Sequence, residues 1–193
     1  MRTTDPRGGD LEAAVRTLLA EIGEDPLRDG LAGTPGRVRR MYGELTAGYQ
    51  TDPDALINGA CFEVDYDEMV IVRDIEFFSL CEHHLLPFYG RAHVGYLPRG
   101  RVIGLSKIPR IVDMYAHRLQ VQERLTVQIA DFLMERLEPK GVGCVVVASH
   151  LCTMMRGVRK QQATMVTSSM LGRFRQDAKT RTVFLTFIGQ GSE

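Results

Sequence analysis

The densest chemistry in this chain is the run Cys81-Glu82-His83-His84. A cysteine and a histidine three apart, Cys81 and His84, can reach one metal ion from a tight turn, and thiolate with imidazole is a ligand set that zinc prefers. Farther on, His150 and Cys152 stand two apart at the end of an apolar run that reads as strand, which would project both side chains from one face. Cys81 and Cys152 are 71 positions apart, so no compact zinc finger is formed and the fold must bring the pieces together. Two cysteines and one histidine leave a fourth zinc position for water, the catalytic rather than the structural pattern. Zinc lowers the pKa of such a water to about 7. The same two thiols, brought together without metal, could instead form a disulfide. Cys144 and Cys61, in apolar surroundings, read as small buried hydrophobes. A His-His pair is a weak signal alone; His93 in a strand pattern and His117 at a helix end read as structural.

No Walker-type phosphate loop is present, because Gly30-Leu31-Ala32-Gly33-Thr34-Pro35-Gly36 lacks the Gly-Lys-Ser/Thr ending. A phosphate-bearing ligand would therefore be held by side chains. Lys107 and Arg110, three apart, share a helix face, and Arg156 follows closely on Cys152. Arg37 and Arg40 form a second such pair. For any one of these five taken alone, solvated surface is the better reading. Gln122-Glu123, near a helix start, is either polar surface or a reader of guanine, whose edge offers two adjacent N–H donors to a carboxylate.

The elements that must position these residues follow from periodicity. Residues 1–9 read as an irregular start, with Pro6 and Gly8-Gly9. Asp10 can cap a helix carrying Leu11, Val15, Leu18, Leu19 and Ile22, ended by Gly23. Thr34-Pro35 starts a second helix, with Val38, Met41, Tyr42 and Leu45 as its buried face. Thr51–Asp54 reads as a turn or linker, giving a helical segment over 1–57 and a second domain over 58–193. There the period changes to strand at 69–72, 75–78 and 92–97, with a hairpin-type turn at Pro98–Arg101. Two helices follow, one with Ser106 as candidate cap and one with the stripe Val121, Leu125, Ile129, Phe132, Leu133 and Leu137. Strands return over 142–152 and 163–168. A closing helix over 179–188 would bury Val183, Phe184, Phe187 and Ile188. The class is α+β with a mainly antiparallel sheet, β-β-α-α-β-β.

Composition agrees with a globular chain: of 193 residues, 44% are hydrophobic and 25% charged, with four cysteines. That is too few for a disulfide scaffold, and neither a membrane-length apolar run nor a secretory signal is seen, so the cytoplasm is expected. Net charge is zero, yet residues 1–80 carry 8 Lys/Arg against 16 Asp/Glu and residues 81–193 the reverse. The halves either complement each other, within or between subunits, or the later basic residues hold an anion. No dense basic run with interleaved aromatics points to nucleic acid.

Taken together, Cys81–His84, Ile103-Gly104-Leu105-Ser106-Lys107, Gln120–Thr126 and His150-Leu151-Cys152 with Arg156-Gly157 resemble the motifs of GTP cyclohydrolase I, in order, from about Thr34 to the C-terminus. The resemblance implies conversion of GTP and water to 7,8-dihydroneopterin triphosphate and formate, the entry to tetrahydrofolate and pterin synthesis. It implies Zn2+ on Cys81, His84 and Cys152, with zinc-bound hydroxide attacking guanine C8. His83 would exchange the proton at the ring nitrogen, and His150 and Ser106 would assist ribose opening and the Amadori-type rearrangement. Gln122 and Glu123 would read guanine; Lys107, Arg110 and Arg156 would hold the triphosphate, with Arg37 and Arg40 from a neighbouring subunit. The implied fold is the tunnelling fold, helices on one face of the sheet, assembled as a homodecamer with active sites at subunit contacts. Ala163–Ser169 departs from the Thr-rich strand frequent in the family, and Arg40 stands where many relatives have lysine. A relative that stops after ring opening is one alternative, and a pterin- or nucleotide-binding module with structural zinc is another.

Overall fold

Asp10 caps the first helix as its position predicts: its carboxylate accepts the Glu12 N–H at 3.0 Å and starts α1 (Leu11–Glu21). Gly23, at φ +93°, lets the chain leave that helix. In α2 (Thr34–Leu45) Gly33 takes the cap position, and Thr34 and Pro35 are the first two helical residues. The two helices pair, with Arg39 reaching Glu12 at 3.5 Å. Of the α2 face expected to be buried, Met41 is exposed and Val38, Tyr42 and Leu45 are half-buried; on α1, Val15 is buried while Leu11, Leu18 and Ile22 are exposed. One seam between two helices covers only a narrow strip of each, so periodicity located the apolar faces but overstated their burial.

The computed structural model describes residues 10–57 and 59–189; the irregular start expected for residues 1–9 lies outside them. The chain divides into two compact units, Met1–Thr46 and Ala47–Glu193. The second unit opens with a 3-10 turn (Ala47–Tyr49) and α3 (Pro53–Ile57), then β1 (Cys61–Glu63), β2 (Val70–Cys81), β3 (Pro87–Leu97) and β4 (Arg101–Ile103). It continues with α4 (Lys107–Ala116), β5 (Leu119–Gln120), α5 (Gln122–Leu137), β6 (Gly141–His150), α6 (Leu151–Met154), β7 (Met165–Gly172), α7 (Arg173–Gln176) and α8 (Ala178–Gly189). The main sheet has the order β5-β2-β3-β6-β7, antiparallel except where β5 runs parallel to β2. β1 and β4 form a separate ribbon. The expected α+β class and strand–helix order are what forms.

The segments 69–72 and 75–78 are one strand interrupted by a bulge. Val72 pairs with Val94 and Ile75 with Ala92, so Arg73 and Asp74 together face one partner residue. Asp74 takes φ 59°, and its N–H donates to His93 Nδ1 at 3.1 Å, giving His93 its structural partner. Burial pushes the His93 pKa down.

One face of the sheet carries the main core. Phe88, Ala92, Val94, Val142, Cys144 and Val146 meet the buried stripe of α5 (Leu125, Ile129, Phe132, Leu133, Leu137) and Ile108, Ile111 and Val112 of α4. Ser79 Oγ fastens β2 to the end of α4 by donating to the Ala116 carbonyl at 2.6 Å. Cys144 is fully buried, and its thiol is pushed up to about 12 by desolvation, so it packs as a small hydrophobe.

Helices are not confined to that face. Phe174 of α7 and Phe184 of α8 form a second cluster with Val145 and Val147, the strand residues that alternate onto the opposite side. Their seat is made by Gly95 and Gly143, which pair across β3 and β6. A Cβ at Gly143 would lie 2.6 Å from Phe174 Cδ1, and one at Gly95 would lie 2.8 Å from Phe184 Cδ2. Gly143→Ala therefore forces both rings to shift and lowers unfolding stability by about 1–3 kcal/mol, read as a fall in the urea midpoint. An unchanged midpoint would show that the rings retreat at no cost. The closing helix forms where expected, but only Phe184 of its apolar residues is fully buried; Val183 and Phe187 are exposed.

Candidate active site

Cys81 is the last residue of β2, and the chain turns tightly after it. The Leu85 N–H donates to the Cys81 carbonyl at 2.8 Å, the Cys81 N–H to the Leu86 carbonyl at 2.9 Å, and Leu85 takes φ 56°. This turn returns His84 towards Cys81. The third residue arrives differently from the expected strand geometry. β6 ends at His150, and Cys152 sits in α6, so the two do not project as alternate strand residues. The helical turn brings Cys152 Sγ, Cys81 Sγ and a His84 ring nitrogen within 4.8 Å of one another. Zinc bonds of about 2.3 Å to sulfur and 2.0–2.1 Å to nitrogen need donors at nearly that spacing, so this donor set fits zinc with small side-chain adjustments. Burial, then the neighbouring Cys81, holds the Cys152 thiol above its ordinary pKa. Among the described residues no fourth Cys, His, Asp or Glu joins the three.

His83 lies beside this cluster with its side chain 63% exposed and Nδ1 3.9 Å from Cys81 Sγ. Its Nε2 is 3.9 Å from Glu82 Oε1. Glu82 is itself gripped by Arg124 of α5 through two bonds, 2.6 and 2.9 Å, which hold its carboxyl below the usual range. The Glu82 N–H also donates to the Gln120 carbonyl at 3.0 Å, so β5 and α5 together brace the turn.

His150, two residues before Cys152, is held by two contacts. Its ring stacks on Phe88 at 4.7 Å and 2°, and its Nε2 is 2.8 Å from Gln122 Oε1. Burial lowers its pKa while the nearby Glu123 carboxylate opposes that shift. Gln122 is 1% exposed, and its amide nitrogen is committed to the Val146 and Met165 carbonyls and to Thr167 Oγ1. Its side chain is therefore turned inward, onto the sheet through the amide nitrogen and onto His150 through Oε1. Glu123, one residue on, is exposed and makes no hydrogen bond or ion pair among the described residues.

The basic candidates are dispersed. Lys107 Nζ donates to the Leu56 carbonyl at 2.6 Å, at the end of α3. Arg110 borders a cleft of about 440 Å³ together with Asp52, Asp113 and His117, and His117 Nδ1 lies 3.0 Å from the Asp113 carbonyl. Arg156 is exposed and near enough to Cys152 to favour its thiolate. Ser106 is exposed at the start of α4 and makes no side-chain cap bond. Arg37 and Arg40 lie exposed on α2 of the first unit.

The sequence model of GTP cyclohydrolase I matches residues 11–189, which spans every candidate site residue. The chain belongs to the GTP cyclohydrolase I family. It is 58% identical over 182 residues to GTP cyclohydrolase 1 of Leptospira biflexa, covering 94% of this chain and 100% of that one. Against the Alkalilimnicola ehrlichii enzyme it is 60% identical over 178 residues, 92% and 96% of the two chains. The rat enzyme is 55% identical over 179 residues, 93% of this chain and 74% of the other. As a GTP cyclohydrolase I family member the protein is a hydrolase with GTP cyclohydrolase activity, and its sheet and helices form the tunnelling fold. No helix among the described residues is long and apolar enough to cross a membrane.

Arg124, Phe88, Thr126 and Thr167 hold Glu82, His150 and Gln122 in place, and no local spacing singles them out. Arg124 sits inside a motif legible in the sequence, but its partner is 42 positions away and no local spacing connects them.

Proposed function

We propose that this enzyme converts GTP and water to 7,8-dihydroneopterin triphosphate and formate, with zinc held by Cys81, His84 and Cys152. The observation that carries this reading is the meeting of those three donor atoms within 4.8 Å, with His83 beside them. When bound there, zinc supplies Lewis acidity that brings the pKa of a coordinated water to about 7. The chain's own groups do the rest. His83, exposed and held near Glu82, donates and accepts the proton at the guanine imidazole nitrogen as that ring opens at C8. Glu123 accepts the two N–H groups of the guanine edge and rejects adenine, because a carboxylate is acceptor-only. The committed amide of Gln122 leaves that recognition to Glu123. His150 and Ser106 serve ribose opening and the rearrangement before the pterin ring closes.

Arg110 and Arg156 bind the triphosphate with Lys107, whose ammonium keeps two further donors beyond the one given to Leu56. Arg37 and Arg40 would complete the phosphate site from a neighbouring subunit, in a homodecamer working in the cytoplasm as the first step of tetrahydrofolate or pterin synthesis. Apart from those two arginines, every residue with a role lies in the second compact unit, Ala47–Glu193.

The test is incubation with GTP, with and without a zinc chelator, following formate and the fluorescence of oxidised neopterin. Both products are expected, both lost on chelation and both restored by zinc. A ring-opened nucleotide without pterin would replace this reading with the partial reaction. No consumption of GTP by zinc-loaded, reduced protein would leave a binding module.

A further inference from the structure

We propose that Gln122 is the positioning residue of His150, fixing the ring with its proton on Nε2 and leaving Nδ1 as the basic nitrogen. The proposal rests on the function given above and names a role there that differs from guanine contact. Three observations support it, beginning with the orientation of the amide. Gln122 lies within 3.1 Å of the Val146 carbonyl on β6 and 2.9 Å of the Met165 carbonyl, where β7 begins. Carbonyl oxygens only accept, so the NH2 end of the side chain must point at the sheet. Its other end is then the oxygen, which also only accepts, and it lies 2.8 Å from His150 Nε2. Nε2 therefore donates.

The neighbouring hydroxyls agree with that direction. Thr126 Oγ1 donates to the Gln122 backbone carbonyl at 2.8 Å, so its contact with Thr167 Oγ1 at 2.6 Å must use the Thr167 proton. Thr167 Oγ1 is then free to accept from Gln122 Nε2 at 3.2 Å. Every donor in this partly buried circuit meets an acceptor only if the amide keeps the assigned orientation. Phe88 supplies the remaining constraint: stacking at 4.7 Å and 2° sets the plane of the His150 ring, and the Gln122 bond sets its rotation within that plane. A residue at the start of α5 thus controls one at the end of β6, because α5 packs across β6 and β7.

A guanine contact and a positioning contact fail differently. Loss of a ligand contact weakens GTP binding, whereas loss of ring orientation slows the steps after binding. The experiment uses zinc-loaded full-length protein labelled with 15N-histidine at about pH 8, where a free imidazole is neutral. Solid-state NMR reads the tautomer, and His150→Gln assigns the signal. The wild type is expected to show His150 as the Nε2–H form. Gln122→Met is expected to lose that single form and to lower kcat roughly 10–100-fold, with KM for GTP within about threefold. An Nδ1–H form in the wild type would overturn the proposal, as would a Gln122→Met enzyme with raised KM and unchanged kcat. Should the variant fail to fold, the wild-type spectrum decides alone. Because that spectrum needs no turnover, it stands apart from the outcome of the formate assay.

Discussion

Cys152→Ala is expected to lose zinc and activity together. Zinc content should fall from about one ion per chain to below about a tenth, and formate release by at least about a thousandfold, since two remaining donors hold the ion too weakly. Cys152 is only partly buried, on the first turn of α6, so the fold should survive. Metal analysis on the purified protein, with formate measured on the same sample, checks both halves. The control is Cys144→Ala, which removes a fully buried thiol from the core and should keep its zinc. Full zinc and full turnover in Cys152→Ala would remove that residue from the site and leave the three-donor arrangement without its basis.

Phe88→Ala should produce the largest loss of stability, about 3–5 kcal/mol. Phe88 is completely buried in β3, meets Phe77 edge-on at 5.9 Å, and carries the His150 ring stacked on its face. Truncation leaves a cavity against rigid neighbouring strands, which collapse poorly. Phe88→Leu fills most of that volume and should cost much less, yet it removes the flat surface under His150. The informative comparison is therefore urea denaturation of both variants beside their turnover. A loss below about 1 kcal/mol in Phe88→Ala would show that the strands close over the gap. Turnover in Phe88→Leu at the wild-type level would show that the stack does not position His150.

Local periodicity was a good guide wherever a residue's partner lies within a few positions. The α5 stripe of Leu125, Ile129, Phe132, Leu133 and Leu137 is buried as its 3.6-residue spacing requires, and Asp10 caps α1. Prediction from spacing was weaker where burial depends on what arrives from elsewhere. Val183 and Phe187 have the spacing of a buried face but remain exposed, because only Phe184 finds the glycine seat on β3 and β6. The apolar run predicts strand through Cys152, yet the pairing of β3 with β6 ends at Phe88 and His150 and the chain turns into α6.

The order of residues supplies the chemical types: two thiols and a histidine suited to zinc, a second histidine beside them, and a carboxylate at the start of α5. It also determined the α+β class, because alternation and helical spacing are local properties of the chain. Folding selects which of these groups meet. It brought Cys152 to Cys81, bound Arg124 to Glu82, and turned Gln122 inward onto His150 and the sheet while Glu123 stayed exposed. The reason is that a hydrogen bond or a metal ligand set depends on distance in space. Across 28, 42 or 71 positions, that distance is set by sheet pairing and helix packing, and no short-range pattern records it.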